Sequence, residues 1–123
     1  TPVHFTLTTT GQAQNVEPDL EQQLLRIGAQ ALLNSVRHAN ASHVHLKLHY
    51  GDDAVRLRVS DNGRGFNPDD IADHPDDHYG LVGMRERADA IGAHLAIESG
   101  AGQGTRVAVE LTLKQQTPER RSA

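Results

Sequence analysis

The chain has 123 residues, a length typical of a single domain that can bury a core without cross-links. It contains no cysteine, which excludes disulfides and thiolate metal sites and favours a reducing compartment. The formal net charge of −4 argues against a nucleic-acid-binding surface, and no apolar run approaches the length of a membrane-spanning helix.

Hydropathy and turn signals predict a mixed series of strands and helices. The predicted elements are a strand at 3–8, a helix at 18–39, strands at 44–50 and 55–59, a helix at 81–91 and strands at 95–97 and 107–113. The main predicted connections are loops at 11–17 and 61–79, with one helical turn near 68–72, and turns at 51–53 and 99–104. Because hairpins alternate with helices, we expect an α+β fold, a two-layer sandwich with helices on one face of a mixed sheet. The first strand begins in mid-pattern, so we also expect a longer protein.

The first predicted helix carries a polar stripe opposite an apolar side. The apolar side comprises Leu24, Ile27, Gly28, Ala31, Leu32, Ser35 and Ala39, and the polar stripe Gln23, Arg26, Gln30, Asn34 and Arg37. Asn34 is a poor helix-interior residue and lies one turn from both Gln30 and His38. A solvated face is the simpler interpretation, but this row of side chains could also ligate a cation or contact a phosphate.

Three glycine-containing segments are candidates for ligand binding. Residues 60–66 (SDNGRGF) follow a strand, residues 80–84 (GLVGM) open a helix, and residues 102–105 (GQGT) precede the last strand. For each segment alone, an ordinary turn or helix start is the simpler interpretation. Together they favour phosphate or nucleotide binding, because glycine permits close backbone approach and a helix start offers amide groups.

With the helix at 24–41, these segments resemble the N box and the glycine boxes of the GHKL superfamily of ATPases. The run at 78–87 (HYGLVGMRER) is similar to the sensor histidine kinases that include nitrate and membrane-fluidity sensors. The resemblance covers about residues 3–113 and implies the Bergerat α/β sandwich. We therefore expect an ATPase domain at 1–113 and a polar, disordered tail at 114–123. There is no P-loop motif.

The resemblance implies an ATP and Mg²⁺ site with a role for each matching residue. Asp61 would accept a hydrogen bond from the exocyclic amine of adenine, and Thr105 would support that end of the base. Asn34 would ligate Mg²⁺, and the backbone of residues 80–83 would hold the phosphates under a lid at 69–79. The full predicted set is Gln30, Asn34, Arg37, His38, Asp61, Gly63, Gly65, Phe66, Tyr79, Gly80, Leu81, Val82, Gly83, Met84, Gly104 and Thr105. Within this set, Gln30, Asn34 and His38 occupy catalytic positions.

The chain departs from the family at Gln30, where an acidic residue is usual. Glutamine can orient a nucleophile but cannot take a proton at neutral pH. Three explanations stay open: an inactivating substitution, a natural glutamine that orients the nucleophile, or a module that senses nucleotide without catalysis. A related GHKL serine kinase is a further alternative.

The resemblance also implies partners outside this sequence. A phosphoacceptor histidine on dimerisation helices would precede Thr1, and a response regulator would act downstream. We expect this fragment to be monomeric within a homodimeric protein, and to be a cytoplasmic module of a sensor. The sequence also contains candidate zinc ligands: His43, His45 and His49 on one strand, and His74 and His78 in the predicted lid. A solvent-exposed face is the simpler interpretation of the first group.

Overall fold

The computed structural model describes residues 3–12, 16–37, 40–65, 80–100 and 102–113. The elements in these ranges are β1 (His4–Gly11), α1 (Pro18–Arg37), β2 (His43–Tyr50), β3 (Ala54–Asp61), α2 (Leu81–Ala90), β4 (His94–Ser99) and β5 (Thr105–Thr112). The predicted α+β class, the two helices and the central hairpin are confirmed. The predicted end of the first helix at 38–39, the segment 66–79 and the tail at 114–123 lie outside the described residues.

The strands form one five-stranded mixed sheet in the order β1-β2-β3-β5-β4. The β1 and β2 strands are parallel, and every other neighbouring pair is antiparallel. Since β5 lies between β3 and β4, the last hairpin folds back into the sheet. This order brings the end of β3 beside the start of β5.

Helix α1 packs on the centre of the sheet through its apolar side. Leu24, Ile27 and Ala31 are buried against β3 and β5, as the helical pattern predicts. The strands contribute mainly Val55, Leu57, Val59, Val107, Val109 and Leu111. At Gly28 an added Cβ would lie 2.8 Å from Cδ2 of Leu57, so glycine allows α1 to approach the sheet closely.

The first strand is longer than predicted. The alternation of apolar and polar residues stops at residue 8, but β1 continues to Gly11 because residues 9–11 pair with residues 48–50 of β2. On this edge strand Phe5 is 55% exposed and Leu7 is 70% exposed among the described residues. Neither helix in the described part of the chain is long and apolar enough to cross a membrane.

Candidate functional site

The carboxylate of Asp61, at the end of β3, is held by three separate parts of the chain. Its Oδ1 accepts hydrogen bonds from the backbone amides of Gly63 at 2.9 Å and Thr105 at 3.2 Å. Its Oδ2 accepts a 2.6 Å bond from the hydroxyl of Ser35 on α1. The side chain is therefore oriented from the loop after β3, from β5 and from α1, and it is half-buried.

The first and third glycine segments form one structure at this end of the sheet. Asp61 is the register partner of Thr105, and the amide of Gly102 donates to the carbonyl of Arg64 at 2.6 Å. Gly104 has a φ of +77°, and an added Cβ would collide with the backbone carbonyl oxygen of Asp61. Glycine at 104 therefore permits the close approach that brings the Thr105 amide to the carboxylate.

Asn62 fixes the loop after β3 to the start of β2. Its Oδ1 accepts from the amides of Ser42 at 3.0 Å and His43 at 2.9 Å, while Nδ2 donates to Oγ of Ser42 at 2.9 Å. The sequence alone favours an ordinary turn for Asp-Asn-Gly. The observed role of Asn62 is to supply partners for backbone amides on another element, and no local sequence signal predicts that.

Sequence reasoning also misses Ser35 and Ser99 as parts of this network. Ser35 is 2% exposed, and the helical pattern places it only as a small residue on the apolar side of α1. A serine among apolar residues on the buried side of a predicted helix is the sequence feature that could have identified Ser35, because a buried hydroxyl needs a hydrogen-bond partner. Ser99 is the register partner of Thr105, and their hydroxyl oxygens lie 2.8 Å apart.

A second group of predicted residues meets at the start of α2. The Nε2 of Gln30 donates to Oδ1 of Asn34 at 3.3 Å. Gly80 adopts a left-handed conformation with φ +66°, and an added Cβ would lie 2.6 Å from Cδ of Gln30. The structure therefore brings Gln30 of the first helix into contact with both Asn34 and the second glycine segment.

The N-terminus of α2 follows Gly80, which has no side chain that could cap the helix. The first turn carries no acidic residue, so no side chain of that turn would repel an anion. The side chain of Met84 is 1% exposed and anchors the helix in the core, so contact with a ligand would fall to its backbone. Val82 is 57% exposed.

Gly83, another predicted site residue, faces a different region. It lines a cavity of about 560 Å³ between α1 and α2, together with Gln23 and Arg87. The guanidinium of Arg87 donates to Oε1 of Gln23 at 3.1 Å. This cavity lies near the start of α1, whereas Asn34 lies near its end.

The remaining predicted residues are less informative. Arg37 is exposed at the end of α1, while His38, Phe66 and Tyr79 lie outside the described residues.

Among the candidate zinc ligands, His45 contacts Thr8 at 3.0 Å and His49 contacts Thr10 at 2.6 Å, both across the β1–β2 pair. Within the described ranges, no group of three or more His, Asp or Glu residues could hold a metal ion. His74 and His78 also fall outside them.

Comparison with protein families gives a match over most of the chain. The family model described as histidine kinase-, DNA gyrase B- and HSP90-like ATPase matches residues 19–115. The match includes both parts of the site, the Asp61 network and the contacts of Gln30 with Asn34 and Gly80.

Individual relatives and solved structures agree with that match. The sensor protein VraS of Staphylococcus aureus is 41% identical over 101 residues, covering 82% of this chain and 28% of that protein. The signal transduction histidine-protein kinase/phosphatase DegS of Bacillus subtilis is 29% identical, covering 90% of this chain and 29% of its own. The ATP-binding domain of PrrB from Mycobacterium tuberculosis has the same fold, with a TM-score of 0.71 at 21% identity, over 92% of this chain and 82% of that domain.

Proposed function

Because this chain belongs to the histidine kinase-, DNA gyrase B- and HSP90-like ATPase family and is an ATP-binding domain, we propose that it is the catalytic module of a two-component sensor histidine kinase. It spans less than a third of the curated relatives that it matches. The proposal for the whole protein includes dimerisation helices with a phosphoacceptor histidine, and a response regulator. The sequence run at 78–87 supports the branch of nitrate and membrane-fluidity sensors. We assign residues 1–113 to the ATPase domain and 114–123 to a tail.

The anchoring of Asp61 is the observation that carries the proposal. A carboxylate accepts hydrogen bonds only, so it matches the exocyclic amine of adenine and repels the carbonyl oxygen that guanine has at that position. A hydrogen bond to a charged group is worth roughly 1.5–3 kcal/mol, so adenine nucleotides should bind at least about tenfold more tightly than guanine nucleotides.

Asn34 and the start of α2 are the proposed site for Mg²⁺ and the phosphates. The side chain of Asn34 accepts a hydrogen bond from Gln30 through its amide oxygen, a neutral oxygen of the kind that ligates metal ions in proteins. Mg²⁺ keeps most of its waters and takes one or two protein oxygens along with phosphate oxygens, which suits a single amide ligand. The backbone after Gly80 would contact the phosphates. Arg37, His38 and Tyr79 remain proposed neighbours of the nucleotide.

Gln30 favours a second candidate function, nucleotide sensing without catalysis. Its amide is a hydrogen-bond donor toward Asn34, where a carboxylate would be an acceptor and a base. Phosphoryl transfer depends mainly on positioning and charge stabilisation, so we expect binding to survive with glutamine at this position and turnover to be lower than with an acidic residue. The two candidates share the ATP site and differ in whether phosphate is transferred.

Calorimetric titration of ADP with and without Mg²⁺ tests the binding proposal. We expect binding that strengthens with Mg²⁺ and a loss of that Mg²⁺ effect in Asn34→Ala. Arg58→Ala, on the opposite face of the sheet, serves as the control and should bind as the wild type does. A folded sample that fails to bind millimolar ADP contradicts the proposal. Autophosphorylation of the full-length protein then distinguishes kinase from nucleotide sensor.

A further inference from the structure

We propose that Ser35 is a positioning residue that sets the base selectivity of the nucleotide site through Asp61. The inference rests on the proposed role of Asp61 in reading adenine. Ser35 follows the proposed metal ligand, Asn34, by one position on α1, and its side chain points toward the sheet. One helical turn would thus carry both the metal ligand, Asn34, and the residue that orients Asp61, Ser35.

The hydroxyl of Ser35 has a single proton and two acceptors within reach. Oδ2 of Asp61 lies 2.6 Å from Oγ, and the carbonyl oxygen of Ala31 lies 3.2 Å away. The shorter distance is that of a charge-assisted bond between a hydroxyl and a carboxylate. The carbonyl of Ala31 also has the helical amide of residue 35 as a partner. We therefore infer that the hydroxyl of Ser35 donates its hydrogen bond to Oδ2 of Asp61 and not to the carbonyl oxygen of Ala31.

Counting acceptor positions explains why this bond affects selectivity. An ionised carboxylate offers about four lone-pair positions, two on each oxygen. The amides of Gly63 and Thr105 occupy both positions of Oδ1, and Ser35 occupies one position of Oδ2. Among the contacts of the described residues, one position on Oδ2 is left for an incoming donor.

The bond from Ser35 also fixes where that remaining position points. The two amide bonds hold Oδ1 but leave the location of Oδ2 less restricted. Ser35 is 2% exposed and lies on a helix packed against β3, so it holds Oδ2 from a rigid element. A base whose exocyclic amine faces Oδ2 donates a hydrogen bond to its remaining lone pair. A base with a carbonyl oxygen in place of that amine brings two acceptors into contact.

The test compares ADP with inosine diphosphate, whose base has a carbonyl oxygen in place of the amine. Affinities are measured by calorimetry for the wild type, Ser35→Ala and Thr112→Ala. Thr112 also loses a hydroxyl when replaced by alanine, and it is exposed at the opposite end of β5 from Thr105, beside Ala54 of β3, so it is the matched control. Alanine has a high helix propensity and its introduction removes no apolar contact, so we expect Ser35→Ala to fold. Thermal unfolding of the variant checks this.

We expect Ser35→Ala to bind ADP about tenfold more weakly while inosine diphosphate changes by less than about twofold, since only the amine contact depends on Asp61. The ratio of the two affinities then falls about tenfold, and Thr112→Ala keeps the wild-type ratio. If Ser35→Ala leaves the ratio of the two affinities unchanged, whether or not both affinities fall, the inference is overturned. If the wild type binds neither nucleotide, the proposed function itself fails, and the two failures are thus distinguished.

Discussion

The side-chain amide of Gln30 donates a hydrogen bond to the amide oxygen of Asn34, one turn further along α1. It also occupies the space beside Gly80, where an added Cβ would lie 2.6 Å from Cδ of Gln30. The residue that departs from its family is thus in contact with both the proposed metal ligand and the proposed phosphate-binding segment.

Replacing Gln30 by glutamate should separate binding from turnover. The carboxylate restores a proton acceptor, and general base catalysis is worth roughly 10²–10⁴-fold, so we expect autophosphorylation of the full-length protein to rise at least about tenfold. The affinity for ADP should change by less than about threefold, because the Asp61 network is untouched. Gln30→Ala serves as the control for a loss of packing beside Gly80. Equal turnover for the wild type and the Gln30→Glu variant contradicts the expectation.

The close approach of Gly104 to Asp61 predicts different costs for two alanine substitutions in one turn. Gly104 and Gly102 have similar φ values of +77° and +75°, so both substitutions incur the cost of a left-handed alanine, about 1 kcal/mol. Only at 104 does the added Cβ collide with the carbonyl of Asp61, whereas at 102 nothing lies within 4 Å. Gly104→Ala should therefore be less stable than Gly102→Ala by at least about 1 kcal/mol. Urea unfolding of both variants measures the difference, and equal midpoints with equal slopes would argue against the close approach.

Much of the fold follows from local pattern, and the exceptions have a common cause. The buried side of α1 is predictable from its period, since Leu24, Ile27 and Ala31 recur at helical spacing. The extension of β1 and the placement of β5 between β3 and β4 depend on pairing between distant segments, which local alternation does not encode.

The site shows the same division between local and distant information. The resemblance of the glycine segments to the GHKL boxes identifies Asp61 and Gly104 as candidates. The bonds of Asp61 to Ser35 and Thr105 join residues 26 and 44 positions apart, so only the assembled sheet and helix reveal them. The role of Asn62 beyond its turn is hidden from the sequence for the same reason.

The start of α2 predicts opposite effects at two glycines. Gly80→Ala should lower the free energy of unfolding by about 1–2 kcal/mol, because φ is +66° and the methyl group would press on Gln30. Gly83→Ala should raise it by up to about 1 kcal/mol, since glycine is unfavourable within a helix and nothing lies within 4 Å of the added Cβ. Thermal or chemical unfolding distinguishes them. A destabilised Gly83→Ala would refute the open space beside residue 83.

Asn62 should be important for both stability and nucleotide affinity. Asn62→Ala removes the acceptor for the amides of Ser42 and His43, and we expect a loss of about 1–2 kcal/mol in the free energy of unfolding. Because the loop also carries Gly63, whose amide holds Asp61, the affinity for ADP should fall as well. Asn62→Asp keeps the acceptor oxygen and should retain most of the stability. If the alanine and aspartate variants unfold at the same denaturant concentration, the contact is unimportant.

The location of bound nucleotide is tested most directly by two-dimensional amide NMR during titration with Mg-ADP. The amides that hold Asp61, those of Gly63 and Thr105, and the amides following Gly80 should show the largest chemical-shift changes. The amides of Lys47 and Arg58, two strand residues whose side chains lie on the outer face of the sheet, should change little. Saturable changes confined to that outer face, with the Gly63 and Thr105 amides unmoved, would contradict an adenine site at Asp61.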